Sequence, residues 1–153
     1  MNSRALCLTL LAAGMAACGG GGNALPIGVG NGGATTLDVA GTWSGSANDS
    51  NRQMTMTWQL SQQNRSVAGT FAATTVVGAP IYTSGNISGT LSNTALTFTI
   101  TVPRGSVVDA PDCTASLAGT ADDVRQDSMA GTYTGSDTCG GTFAGGRFTL
   151  LKQ

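Results

Sequence analysis

Hydrophobic and polar residues alternate with a period of two over most of the chain after residue 36. Met54, Met56, Trp58 and Leu60 alternate with polar residues, and the apolar positions of residues 96–102 alternate with threonines. Successive side chains of a strand point to opposite faces, so each pattern predicts a half-buried β-strand. Thr and Val, which favour strands, are frequent here, whereas residues that favour long helices are scarce.

A second pattern consists of an apolar residue, a variable residue, glycine, threonine and another apolar residue. In a strand, the two apolar residues and the glycine share one face, and the threonine points the other way. A glycine between large inward side chains leaves room across a narrow interior and lets the strand coil, as closure of a small barrel requires. The copies begin at Val39, Val67, Ile87, Leu117 and Met129, and residues 141–143 are a truncated sixth copy.

The two patterns predict one all-β domain over residues 37–153. We expect an antiparallel up-and-down meander of about eight strands that forms a small closed or nearly closed barrel, with a β-sandwich as the alternative. Phe143 and Phe148 are out of phase, and a bulge at Gly145–Gly146 would restore the phase. The predicted strands lie near residues 38–46, 53–62, 66–75, 84–92, 95–102, 113–121, 128–137 and 142–152.

The chain before residue 18 has the features of a secretion signal. Arg4 is followed by an apolar run over residues 5–17, which is too short to span a bilayer as a stable helix and ends in the small residues Ala16 and Ala17. We therefore assign residues 1–17 to a signal peptide and not to a transmembrane helix.

Cys18 directly follows these alanines, and the arrangement resembles the lipobox of bacterial lipoproteins, with Met15 where that family prefers leucine. The resemblance implies cleavage before Cys18, a diacylglycerol on its thiol and an acyl chain such as palmitate on the new amino terminus. Since each buried methylene contributes about 0.8 kcal/mol to membrane binding, two or three acyl chains hold a protein at a membrane. Gly19, in place of an aspartate after the cysteine, fits the sorting of such lipoproteins to the outer membrane in the enterobacterial version of the rule. An ordinary cleaved signal with an incidental cysteine is the alternative.

Residues 18–36 are expected to be a lipidated cysteine followed by a flexible tether. Eight of the eighteen residues from 19 to 36 are glycine. Such a segment buries too little apolar surface to offset the entropy of ordering, and its end-to-end distance is roughly 25 Å. The tether would therefore lift the barrel clear of the lipid headgroups.

The four cysteines divide into two groups. Cys7 leaves with the signal and Cys18 takes the lipid, so Cys113 and Cys139 remain as a pair that we expect to form a disulfide in an oxidising compartment. A hairpin turn near Val124 would place Gly119 opposite Gly131, and Cys113 nearly opposite Asp137. A redox or metal-binding pair is less consistent with the sequence, which has no Cys-x-x-Cys motif and no histidine.

The side chains available for catalysis predict a binding or structural protein, and not an enzyme. The chain contains neither histidine nor glutamate, so common nucleophile–base pairs are missing. Asp122, Asp123 and Asp127 fall in one loop, and Asp109 and Asp112 in another, but neither group has the spacing of a calcium loop. We expect no metal and no cofactor. Cleavage would leave six basic against eight acidic residues, which gives no basic surface for nucleic acid.

The Gly41-Thr42-Trp43 opening and the later Gly-Thr-aromatic copies resemble small barrels of the avidin and lipocalin type. The resemblance implies that Trp43 plugs the closed end of the barrel. Avidin lines its biotin pocket with several later tryptophans, whereas this chain has only Trp58 besides Trp43, so biotin binding is not implied. The candidate ligand-facing residues, which would otherwise be core, are Trp43, Trp58, Phe71, Phe98 and Tyr133.

Three functions remain open at this stage. The anchored barrel would bind a small apolar ligand or a protein, inhibit a periplasmic protease or lysozyme, or serve as a passive envelope component. An inhibitor predicts a protruding loop or amino-terminal arm, for which residues 103–111 are the only candidate. A cavity would favour the ligand carrier, and a filled interior with featureless loops would favour the passive component.

Overall fold

The structure, a computed structural model, describes residues 37–153. The predicted signal peptide, Cys18 and the tether lie outside the described residues. Within 37–153 there is no helix of the length and apolarity needed to cross a bilayer. The strands are β1 Gly41–Asn48, β2 Gln53–Gln63, β3 Ser66–Thr75, β4 Pro80–Ser92, β5 Ala95–Val102, β6 Ala115–Val124, β7 Ser128–Asp137 and β8 Gly141–Lys152.

Each strand pairs antiparallel with the next, and β8 pairs with β1, so the meander closes into a barrel. The closing seam places Ala47 opposite Phe148. The predicted all-β barrel is confirmed, and the sandwich alternative is excluded. Alternation along every strand directs apolar side chains inward, so that the core occupies the barrel interior.

A side chain at several glycines of the repeated motif would collide with the neighbouring strand or with the core. A Cβ at Gly131 would collide with the carbonyl oxygen of Thr120 and would lie 2.6 Å from the Cα of Ala121. A Cβ at Gly119 would lie 2.6 Å from the ring of Phe98. These positions require glycine because the adjacent strand or a core aromatic ring occupies the space of the missing side chain.

The predicted bulge in β8 is present. The pairing of β7 with β8 shifts between Tyr133, which is opposite Gly146, and Gly135, which is opposite Phe143. Gly145 has a φ of +66°, a conformation that glycine adopts without strain. The extra residue allows both Phe143 and Phe148 to point into the core.

Several details of the sequence-based prediction were wrong, beginning with β1, which runs from Gly41 to Asn48 and not over residues 38–46, because residues 37–40 form no strand. Gly119 pairs with Tyr133 and not with Gly131, because β6 continues to the buried residue Val124 and contains a register shift after Ala121. β4 begins at Pro80 and not near residue 84, because its first residues pair with β3 and with a segment of the β5–β6 connection.

Candidate binding site at the mouth of the barrel

Trp43 lies at one end of the barrel, which we call the sealed end. Its indole nitrogen donates a 2.8 Å hydrogen bond to the carbonyl oxygen of Val39, and both residues are fully buried. The Nζ atom of Lys152 lies 5.5 Å from the centre of the Trp43 ring. Trp43 is therefore held by a hydrogen bond within this end of the barrel, and its role as a plug stays a prediction.

Aromatic rings fill the centre of the barrel. The ring centre of Trp58 lies 4.9 Å from that of Phe98 and 5.2 Å from that of Phe148, and the two phenylalanines are 5.6 Å apart. These separations are typical of edge-to-face and tilted packing. Trp58 is fully buried, and its indole N–H has no hydrogen-bond acceptor among the described residues.

The five aromatic candidates from the sequence are all interior residues. Trp43 lies at the sealed end, Trp58 and Phe98 pack at the centre, and Phe71 contacts Tyr82 with a ring separation of 5.8 Å. Tyr133 differs from the others because its hydroxyl makes a polar contact near the opposite end. The centre of the barrel is therefore built from packed rings.

The opposite end, which we call the mouth, carries the β1–β2, β3–β4, β5–β6 and β7–β8 connections. Here the Tyr133 hydroxyl donates a 3.1 Å hydrogen bond to Oδ2 of Asp49. The Oδ1 atom of Asp49 accepts the backbone N–H groups of Asn51 and Arg52. Burial, followed by the charge of Asp49 and the hydrogen bond to it, raises the pKa of Tyr133 well above its ordinary value.

Tyr82 is the second tyrosine near the mouth. Its residue is only 4% exposed, and its hydroxyl makes no hydrogen bond to a described residue. Burial raises the pKa of Tyr82 above 10.0; Arg52 opposes this effect, and the carboxylates of Asp137 and Asp49 add to it. Tyr82 is therefore a largely buried residue whose hydroxyl remains accessible to solvent, within electrostatic reach of three charged groups of the mouth.

The β5–β6 connection folds over the mouth. Val107 forms a bridge with Tyr82, and Ser106 accepts a 2.9 Å hydrogen bond from the backbone N–H of Thr83. The backbone N–H of Val108 donates to the carbonyl oxygen of Ile81 at 3.1 Å. This segment, the candidate for a protruding inhibitory loop, is docked onto β4 instead of projecting from the barrel.

The predicted disulfide between Cys113 and Cys139 is confirmed, with a Cα–Cα distance of 5.8 Å. It joins the end of the β5–β6 connection to the β7–β8 turn. In the observed register Ala115, and not Cys113, lies opposite Asp137. The two sulfur atoms and a carboxylate oxygen of Asp137 lie within 4.8 Å of one another, but bonded sulfurs do not offer the thiolates that a metal site uses.

A depression of about 230 Å³ lies across the mouth, between residues from four connections or strand ends. Ile81, Val107 and Ala110 supply apolar surface, next to Cys139 of the disulfide. The charged residues at its edge are Arg52, Asp109 and Asp137. The Oδ1 atom of Asp137 already accepts the backbone N–H groups of Cys139 and Gly140.

Two further depressions, each of about 330 Å³, lie on the outer wall. One lies over β6, β7 and β8 and is lined mainly by threonines and glycines, with Arg147. The other lies next to the mouth, over the end of β5, the start of β6 and the end of β7, and has no charged lining residue. The mouth depression differs because apolar side chains and charges of both signs converge there, as is usual for ligand sites.

The aspartates singled out from the sequence occupy different places. Asp123 forms a 3.0 Å ion pair with Arg125, and Asp127 accepts a hydrogen bond from Ser128, both at the sealed end. Asp109 lines the mouth depression. Asp49 and Arg52 were not among the sequence candidates, because they belong to a short turn that has no local signal for a site.

No protein-family model matches the chain, and no curated protein sequence is significantly similar to it. Several solved structures match the fold. A redesigned β-barrel, mFAP1, bound to DFHBI, has a TM-score of 0.52 at 14% identity, covering 74% of this chain and 94% of that chain. EF1p2_mFAP2b bound to DFHBI has a TM-score of 0.56 at 16% identity, covering 74% and 93%. A de novo designed fluorescence-activating β-barrel has a TM-score of 0.50 at 17% identity, covering 74% and 93%.

The shared property is the fold. At these identities the similarity shows that the chain has the fold of a small antiparallel β-barrel, and it shows nothing about the sequence-specific chemistry of the mouth.

Proposed function

We propose that this protein is a bacterial cell-envelope lipoprotein whose barrel binds a small ligand at its mouth and catalyses no reaction. The proposal of ligand binding rests on the mouth depression, where apolar and charged side chains lie together. The depression lies above an interior filled with aromatic rings. Two barrels of similar fold bind the small molecule DFHBI. This supports a small ligand for the present barrel without specifying its chemistry.

The anchoring half of the proposal rests on the sequence around Cys18. The described chain begins beside the sealed end, where Gln62 donates to the carbonyl oxygen of Leu37 and accepts the backbone N–H of Val39. A tether from a lipidated Cys18 would therefore join the barrel at the end away from the mouth. Attachment at the sealed end would leave the mouth free to bind a ligand.

The absence of catalysis is proposed from the chemistry of the side chains. The chain has no histidine and no glutamate, and both buried tyrosines near the mouth have raised pKa values. A phenol of raised pKa stays protonated at neutral pH and is a poor general base. The mouth thus offers charge and hydrogen bonds for binding, but no activated nucleophile.

The anchor is tested by metabolic labelling with a palmitate analogue in a bacterial host. The full chain should take up the label and fractionate with membranes, and Cys18→Ser should lose the label. Cys7→Ser is the matched control, because Cys7 would leave with the signal and its replacement should leave labelling unchanged. Label on Cys18→Ser, or none on the full chain, would refute the lipoprotein assignment.

A second candidate function, enzyme inhibition, is favoured by the β3–β4 turn. Val76 and Val77 are 67% and 87% exposed at its tip. Thr75 fixes the turn, because its backbone N–H donates to Ala79, and its backbone and hydroxyl oxygens accept the N–H groups of Gly78 and Ala79. A rigid apolar tip of this kind fits an apolar slot on an enzyme.

Inhibition is tested by residual-activity assays of a serine protease and a lysozyme in the presence of the full chain. If this function is correct, replacing both Val76 and Val77 with serine should abolish inhibition. Leu151→Ser is the control, because Leu151 is 56% exposed on β8, away from this turn. Full enzyme activity at a large excess of the wild-type chain would eliminate this candidate.

A further inference from the structure

We propose that the mouth depression binds a small organic cation, specifically a primary amine carried on an apolar body of about one ring. This inference rests on the proposed function, because it names the chemical class of the ligand that the barrel would take. It follows from the shape, the charge and the hydrogen-bonding capacity of the mouth.

The shape limits the size of the ligand. Pockets for drug-sized molecules usually measure about 300–1,000 Å³. The mouth depression is smaller, at about 230 Å³, and Ile81, Val107 and Ala110 give it an apolar floor. A single ring or a short branched alkyl group fits this volume and would cover the apolar floor.

The charge favours a cation. Asp109 and Asp137 line the depression against the single positive charge of Arg52, and Asp49 adds a further negative charge nearby. Asp109 makes no side-chain hydrogen bond and no ion pair to a described residue, and Asp137 uses only Oδ1. Carboxylate oxygens therefore remain available to accept N–H groups from a ligand.

Tyr82 is a further polar residue close to the mouth depression. Its hydroxyl makes no hydrogen bond to a described residue, but it is not a buried polar atom and remains accessible to solvent. Val107, which lines the depression, is bridged to Tyr82, and Arg52 and Asp137 act electrostatically on the phenol. A phenol oxygen accepts hydrogen bonds, so a bound amine that reached beyond the depression to Tyr82 would gain a further contact.

The test uses three compounds of nearly the same shape: 2-phenylethylamine, 2-phenylethanol and 3-phenylpropanoate. Their affinities for the full chain isolated from a bacterial host are measured by titration calorimetry, and the binding site is located by NMR of the Ile81 and Val107 methyl groups. We expect the amine to bind most tightly and the carboxylate least, with the methyl shifts confined to the mouth. The affinity of the amine should fall as salt is added.

Charge variants test which residues cause the preference for an amine. Asp109→Asn should weaken amine binding about threefold, as expected for an exposed charge pair worth about 0.2–1 kcal/mol. Arg52→Gln should strengthen it by a similar factor, because it removes the positive charge from the edge of the depression. Asp122→Asn, which removes the same charge at the opposite end of the barrel, should leave amine affinity unchanged.

Three results would overturn the inference: no detectable binding of the amine, equal affinity for the amine and the carboxylate, or equal effects of Asp109→Asn and Asp122→Asn. Failure of the proposed function is distinguished by native mass spectrometry of the full chain. A neutral or anionic ligand retained by the barrel would leave the binding function standing while refuting the preference for an amine.

Discussion

The hydroxyl of Tyr133 on β7 donates a hydrogen bond to the carboxylate of Asp49 in the β1–β2 turn, across 84 positions of sequence. The same carboxylate accepts two backbone N–H groups of its own turn. Tyr133 therefore connects the wall of the barrel to one of the turns that form the mouth. Since both ends of this contact are fixed, it sets the position of Arg52 at the edge of the depression.

Replacing Tyr133 with phenylalanine should lower the free energy of unfolding by about 1.5–3 kcal/mol, the usual range for a hydrogen bond to a charged group. Urea unfolding followed by circular dichroism measures the change. Tyr82→Phe is the matched control, because it removes a hydroxyl that has no partner among the described residues, and it should cost less than 0.5 kcal/mol. Equal losses in the two variants would contradict the assignment of the Tyr133–Asp49 hydrogen bond.

The tyrosines also predict a dependence of stability on pH. Both Tyr82 and Tyr133 have pKa values above the ordinary 10.0 in the folded barrel. Between that value and the raised one, the unfolded chain has lost protons that the folded chain still binds, so stability should decrease as pH rises above about 10. Below pH 10 the contribution is complete.

The measurement is urea unfolding at a series of pH values from neutral to strongly alkaline. The Tyr82→Phe, Tyr133→Phe double variant should show a smaller decrease above pH 10 than the wild-type chain. A wild-type stability that stays constant, or rises, through this range would show that neither phenol is held protonated by the fold.

The disulfide should be a major source of stability. Replacing both Cys113 and Cys139 with alanine should lower the free energy of unfolding by about 3 kcal/mol, because the bond closes a loop with a sequence separation of 26. Urea unfolding of the wild-type chain under reducing conditions should show a similar loss. A loss below about 1 kcal/mol in both experiments would mean that the docked β5–β6 connection holds the mouth without the bond.

Gly131 should not tolerate a side chain. Gly131→Ala should destabilise the barrel by at least about 1–3 kcal/mol, because its Cβ would overlap the backbone of Thr120 and Ala121 in β6. Gly140→Ala is the control, since its Cβ would meet only Asp137 atoms at 3.7 Å or more. Similar melting temperatures for the two variants would show that β6 and β7 are farther apart than described.

The two tryptophans offer a test of the buried hydrogen bonds. Trp43→Phe and Trp58→Phe remove the same volume from fully buried sites, but only Trp43 has a hydrogen-bond acceptor among the described residues. Trp43→Phe should therefore cost about 1 kcal/mol more in the free energy of unfolding than Trp58→Phe. A larger loss at Trp58 would indicate a partner for its indole N–H inside the barrel.

Local patterns were sufficient to predict the strands, because alternation and the Gly-Thr copies depend on neighbouring residues. The bounds of β3, β5 and β7 agree with those expected from the sequence. The register of β6 against β7 was not predictable from the sequence. The sequence around Val124 predicts a turn, and the shift in strand pairing after Ala121 has no local signature. A hairpin register depends on where the turn is centred.

The contacts of the mouth could not be predicted from sequence patterns, for a different reason. Its main contacts join residues that are distant in the chain, as in the bonding of Tyr133 to Asp49 and the docking of Val107 against Tyr82. Asp49 and Arg52 belong to a polar turn that resembles any other surface turn. Closure of the barrel brings them together with the β5–β6 connection and the disulfide.

Native mass spectrometry of the full chain, isolated from the membranes of a bacterial host, tests the central claim most directly. The account predicts a polypeptide that begins at Cys18, carries the mass of a diacylglycerol and an acyl chain, contains one disulfide and retains or takes up a small ligand. An unlipidated polypeptide without Cys18 as its first residue, and with no bound ligand under any condition, would contradict the account of a lipid-anchored binding barrel.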